Sequence, residues 1–134
     1  MQLTKHDGRD WKPVFSPDGR YLAYFTNQSP TKRSTLAVRQ WPDGPTTQPV
    51  ALKGEGEWLQ GPSWTFDNKY LFAHGKLFGA TRTWLYLVDV TTGQAEPMKV
   101  PGMLTSGHAS VDRKETVITF DGQPEPGLTI PAQP

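Results

Sequence analysis

Apolar positions come in short runs of strand length, punctuated by clusters of Gly, Pro, Asp and Asn. Val14-Phe15 and the run 21–25 flank Ser16-Pro17-Asp18-Gly19-Arg20. Pro17 fixes φ ahead of the turn, and Gly19 tolerates the positive φ that a tight reversal needs. The pattern predicts a hairpin, followed by a second strand pair at 35–41 and 49–52 across the turn Pro42-Asp43-Gly44. The same plan then returns. A hairpin turns at Asp67-Asn68, and strands at 83–90 and 96–100 are joined by Thr91-Thr92-Gly93.

The two units align residue by residue. Segment 13–25 matches 62–74 with Pro, Asp, Tyr and Leu in place, while Phe15 faces Trp64, Ser16 faces Thr65, Gly19 faces Asn68 and Arg20 faces Lys69. Asp18 and Asp67 are about 49 residues apart, and a weaker copy at 110–120 places Asp112 about 45 residues further on. Four short strands per repeat of that length is the plan of a propeller blade.

These residues carry a family likeness. Phe15-Ser16-Pro17-Asp18-Gly19-Arg20-Tyr21-Leu22-Ala23-Tyr24 resembles the signature of TolB-like (PD40, WD40-like) β-propellers, and Leu87-Val88-Asp89-Val90-Thr91-Thr92-Gly93 resembles its later strand and turn. The likeness implies an all-β fold of four-stranded antiparallel blades, about two and a half of them, in one domain 1–134. The units fall at about 5–54, 55–102 and 103–122, with a Pro-rich tail at 123–134. Propellers close with roughly four to eight blades. Three outcomes stay open: a fragment of a larger propeller, copies of the chain completing a ring, or another protein capping the ends. The likeness also implies a periplasmic or cell-envelope setting and binding to other proteins.

Composition narrows the function classes. Among 134 residues, 13 Gly and 13 Pro disfavour long helices, and five Trp, six Phe and four Tyr disfavour disorder. The formal charge is +1 and the basic residues are scattered, so no nucleic-acid-binding stripe exists. There is no Cys, which removes disulfides and thiolate metal sites. No apolar run is long enough to insert into a membrane, and residues 1–7 lack a secretory h-region, which does not exclude export.

Candidate chemistry is sparse. His6, His74 and His108 are the only histidines, and His108 falls on the predicted inner strand of the third copy, lining the channel that the likeness implies. Alone it makes no metal site, so the expectation is no metal and no cofactor, with a structural or solvent role for the ring. Asp18, Asp67 and Asp112 recur in the same turn and read as hairpin caps, because blade spacing separates them too far for paired-carboxylate catalysis. Ser106-Gly107-His108 lacks a nucleophile elbow, and Gly54-Glu55-Gly56-Glu57 lacks the Gly-Lys-Ser/Thr of a phosphate loop. Trp64 reads as core and Trp84 as sandwiched between blades. Trp11 and Trp58, where the chain enters each blade, are the exposed aromatic candidates for binding. Lys32-Arg33 and the loop 76–82, with Lys76 and Arg82, are candidate recognition loops, against the plainer reading of solvated connections. The expected function is a non-enzymatic protein-binding module or assembly subunit. The alternative is the propeller portion of a hydrolase or polysaccharide lyase with its site near His108.

Overall fold

The computed structural model describes residues 4–28, 31–112, 114 and 117–127. Every regular element in them is a strand: β1 (Asp10–Phe15), β2 (Tyr21–Thr26), β3 (Thr35–Gln40), β4 (Thr46–Thr47), β5 (Trp58–Trp64), β6 (Tyr70–Lys76), β7 (Trp84–Asp89), β8 (Ala95–Met98), β9 (Met103–Val111) and β10 (Ile118–Pro124). They form two four-stranded antiparallel meanders, β1-β2-β3-β4 and β5-β6-β7-β8, and a two-stranded hairpin of β9 and β10. The all-β blade architecture expected from the repeat is present: two blades and half of a third.

The repeat extends below the level of the strands. The β1–β2 ladder is irregular between Trp11 and Val14, and β5–β6 is irregular between Gln60 and Ser63. At each irregularity one residue has positive φ, Lys12 at 51° and Gly61 at 75°, immediately before the repeated Pro13 and Pro62. The extra residue kinks the first strand of each blade in the same place. The hairpin turns match too, with Gly19 at φ 71° and Asn68 at φ 63°.

The carboxylates cap those turns. Asp18 Oδ1 accepts from Ser16 Oγ at 2.7 Å and from the Arg20 amide at 3.0 Å, and Oδ2 accepts from Arg20 Nε at 2.7 Å. These donors hold its pKa down at about 2. Asp67 accepts from Thr65 Oγ1 and the Lys69 amide, and Asp112 from the Val117 amide. The two complete turns also touch, since the Asp18 amide donates to Asn68 Oδ1 at 3.0 Å.

One core joins the two blades. Ala23, Phe25, Leu36 and Val38 of blade one meet Leu59, Trp64, Leu71, Ala73, Tyr86 and Val88 of blade two. Trp64, in the place of Phe15, is 5% exposed and donates its indole N–H to Val14 O at 3.2 Å. The apolar alternation along β2 and β6 aims one face of each sheet into this layer. Trp84 packs against the same cluster from β7.

Two details depart from the sequence reading. The fourth strand of blade one is Thr46–Thr47, ahead of the expected 49–52. Pro49 offers no amide to a ladder, and Val50 instead plugs into the inter-blade core at 6% exposure. At the other end β10 runs through Pro124, into the stretch set aside as tail. It is an edge strand in the described structure, where proline is tolerated.

Candidate functional site

Antiparallel meanders divide the blades into two ends. The hairpin turns at 16–20 and 65–69 lie at one end; the starts of β1, β5 and β7 and the end of β6 lie at the other. Trp11, Trp58, Lys76 and Arg82 therefore share the second end. Trp11 and Trp58 are half-buried members of the inner strands β1 and β5, not exposed at the chain's entrance to each blade. Each has a ring to lean on. Trp11 meets Phe25 edge-on at 5.8 Å, and Trp58 meets His74 edge-on at 5.7 Å. Lys76 pairs with Trp58 across the β5–β6 ladder, and Arg82 is exposed on the loop before β7.

His108 stands on β9 as expected, and it is not isolated. Its Nδ1 lies 2.8 Å from Asp121 Oδ2, and its ring centroid is 4.3 Å from that of His74. Together with Thr83, Thr105, Ser106 and Gln123 these side chains line an open groove of about 470 Å³ between blade two and the half-blade. Residues of β9 reach it because Ser106 crosses to blade two. Its amide donates to Thr83 O at 3.2 Å, and its Oγ accepts from the Leu85 amide at 2.8 Å.

His74 is the residue that sequence reading passed over. In the repeat alignment it occupies the position of Phe25, on the face that each blade turns toward the next. A titratable ring thus replaces a core phenylalanine. His74 is 7% exposed, and its Nδ1 has no hydrogen-bond partner among the described residues. Gly61 makes room for it: a Cβ there would sit 2.6 Å from His74 Nδ1. Burial above all, then the charges of His108 and Lys12, push the His74 pKa down to about 4, against an opposing pull from Asp121. At neutral pH His74 is an uncharged ring.

The groove can offer an uncharged imidazole, a carboxylate-supported imidazole and amide and hydroxyl groups. Among the described residues no three His, Asp or Glu side chains are grouped to hold a metal ion. The nearby serine is spent on structure, since Ser106 is 1% exposed and its oxygen is engaged by Leu85. Proton transfer is within this set, but nucleophilic attack by a protein hydroxyl is not built into it.

Comparison with solved structures settles the architecture. The crystal structure of TolB from Acinetobacter baumannii superposes with a TM-score of 0.67 at 20% identity, over 90% of this chain and 28% of that one. The fold is TolB-like. The chain spans little more than a quarter of that protein's length. No protein-family model matches the sequence, and no curated protein does either. No helix among the described residues is long and apolar enough to cross a membrane.

Proposed function

We propose that the chain is a non-enzymatic protein-binding module or assembly subunit built on TolB-like blades, and that the outward face of blade one is its docking surface. One observation carries this reading. Phe15, Leu22, Tyr24 and Ala37 lie on the face of blade one turned away from blade two, and Trp41 packs against them. The repeat counterparts of Leu22 and Tyr24 are Leu71 and Ala73, which in blade two form the contact with the preceding blade. No described blade follows on this side, and Leu22, Tyr24 and Ala37 are buried there under their own neighbours, at 3%, 7% and 1% exposure, so Phe15 is what this face offers to a partner. Phe15 is 49% exposed, with its ring 5.2 Å from that of Trp41. An exposed Phe15 backed by the half-buried Trp41 on a rigid sheet is suited to becoming a binding hot spot.

The occupant is a second protein or another copy of the chain, bringing a sheet to continue the stack. A periplasmic or other envelope setting rests on the TolB-like repeat alone. Chemistry in the groove at His108, as in a hydrolase or lyase, has the His108–Asp121 pair in its favour but lacks a nucleophile or metal set beside it among the described residues.

Photo-crosslinking tests the docking face. With p-benzoylphenylalanine at position 15, a discrete protein adduct is expected on irradiation in cells. The same probe at the exposed Thr92 should give none. Its mass separates a self-adduct from a partner, and Trp41→Asp should abolish it without unfolding the chain. Equal labelling from both positions, or no protein adduct from position 15, would refute the assignment.

A further inference from the structure

A second cleft, of about 490 Å³, opens beside β7 and β8 and belongs neither to the groove at His108 nor to the outward face of blade one. The loop between β6 and β7 forms one wall with Leu77, Phe78 and Arg82, and Trp84, Pro97 and Lys99 form the other. That volume lies within the range of sites for small molecules.

The loop is held in shape from behind. The Leu77 amide donates to Tyr86 Oη at 3.0 Å, the Phe78 amide to Glu57 Oε1 at 2.9 Å, and the Ala80 amide to Leu77 O at 3.0 Å. Tyr86 and Glu57 are both buried. Glu57 also accepts from the Lys53 and Gly54 amides of the segment before β5, so one buried carboxylate ties that segment to the loop at Phe78. Burial works against its ionisation, yet these donors and the charge of Arg33 together bring its pKa below the ordinary value.

What the loop displays is costly to display. Phe78 has φ 56°, in the left-handed region that bulky side chains avoid, and Gly79 follows at 71°. A glycine would be at ease at position 78, yet a phenylalanine stands there with 67% of its surface exposed. Its ring meets Tyr86 edge-on with centroids 6.3 Å apart, yet most of it stays open to the cleft, so that one contact leaves the strained placement better accounted for by what the ring faces. Across the cleft Trp84 supplies a second aromatic surface, with Lys99 Nζ 5.9 Å from its ring centroid. Arg82 and Lys99 are the charged lining residues, and among the described residues no carboxylate lines the cleft.

We propose that this cleft binds a small organic carboxylate carried on a flat apolar body. Arg82 meets the carboxylate with its planar fork, Lys99 adds a second positive charge, and Phe78 and Trp84 hold the flat body between them. The assignment stands on these residues and not on the docking face of blade one.

Indole-3-acetate and its uncharged counterpart indole-3-acetamide are the probes, titrated into the 15N-labelled chain and followed by NMR. The acetate should move the amides of Phe78, Gly79 and Ala80 and the Trp84 indole N–H, saturating on the order of 1 mM. The acetamide should bind about fivefold more weakly or worse. Arg82→Ala with Lys99→Ala should reduce the acetate to the level of the acetamide. Phe78→Gly is the discriminating variant: it relaxes the backbone, so thermal stability should hold or rise while both probes bind less. Equal binding of the two probes overturns the proposal. So does full acetate affinity in the double variant, or shifts confined to the outward face of blade one.

Discussion

Gly75→Ala should destabilise the chain by about 3 kcal/mol or more, through steric conflict alone. Gly75 lies on β6 opposite Leu59 of β5. A Cβ at this position would fall 2.0 Å from Trp58 O, 2.9 Å from Trp58 C and 3.0 Å from Leu59 Cα. All three are backbone atoms of the inner strand, so no rotamer change relieves the overlap. The strand itself must move, and with it Leu59, which is fully buried in the inter-blade core. The comparison is Gly79→Ala. Gly79 has φ 71°, and a methyl added there would meet nothing within 4 Å, so its cost is limited to backbone strain of about 1 kcal/mol. Urea unfolding of both variants measures the difference. Equal midpoints would show that β5 and β6 are not in the close approach described.

Acid should weaken the fold through His74. Its pKa is about 4 in the folded chain and 6.5 when unperturbed. As pH falls below about 6.5 the unfolded chain takes up a proton that the folded chain refuses until about 4. Stability therefore drops across that window and is unaffected by His74 above it. The full loss is about 3 kcal/mol, reached near pH 4. Asp18, Asp67, Asp89 and Glu57, all depressed, weaken the fold at lower pH, so the His74 contribution shows as a difference between the parent chain and its variants. His74→Phe restores the residue that the first repeat has at this place, and His74→Gln tests the same point without the bulk. Urea unfolding between pH 7.5 and 4.5 should show a steep acid slope for the parent chain and a shallower one for both variants. Parallel profiles would mean that His74 titrates normally and is not enclosed as described.

Much of this was legible from sequence because the repeat carries local chemistry. Pro17-Asp18-Gly19 and Asp67-Asn68 specify turns through φ preferences and side-chain capping, which do not depend on distant partners. Strand identity in 21–25 and 70–74 followed from apolar runs of strand length. The weaker points are tertiary. Val50 has the apolar character of a strand residue, yet Pro49 and the inter-blade gap draw it into the core. Trp11 and Trp58 were legible as aromatics at the start of inner strands, but their burial depends on Phe25 and His74 across the ladder.

The site was legible only in part. His108 could be placed on β9, while its contact with His74 requires knowing that β9 packs on β6. The signal was present in the alignment of Phe25 with His74, a core position given a titratable ring. The cleft at Arg82 depends on the positive φ of Phe78 and on the buried carboxylate of Glu57. Neither leaves a mark in composition, and Glu57 sits in a Gly-Glu stretch weighed only as a phosphate loop and set aside.

Native-state hydrogen exchange tests most directly whether two blades share one cooperative core with a half-blade leaning against it. Amides of β2, β3, β6 and β7 should exchange slowest and at a common free energy, because a single apolar layer spans both sheets. Those of β10, whose side chains are largely exposed, should exchange first, with β9 between. Protection of β10 equal to that of β6, or separate opening of the two four-stranded sheets, would contradict the account.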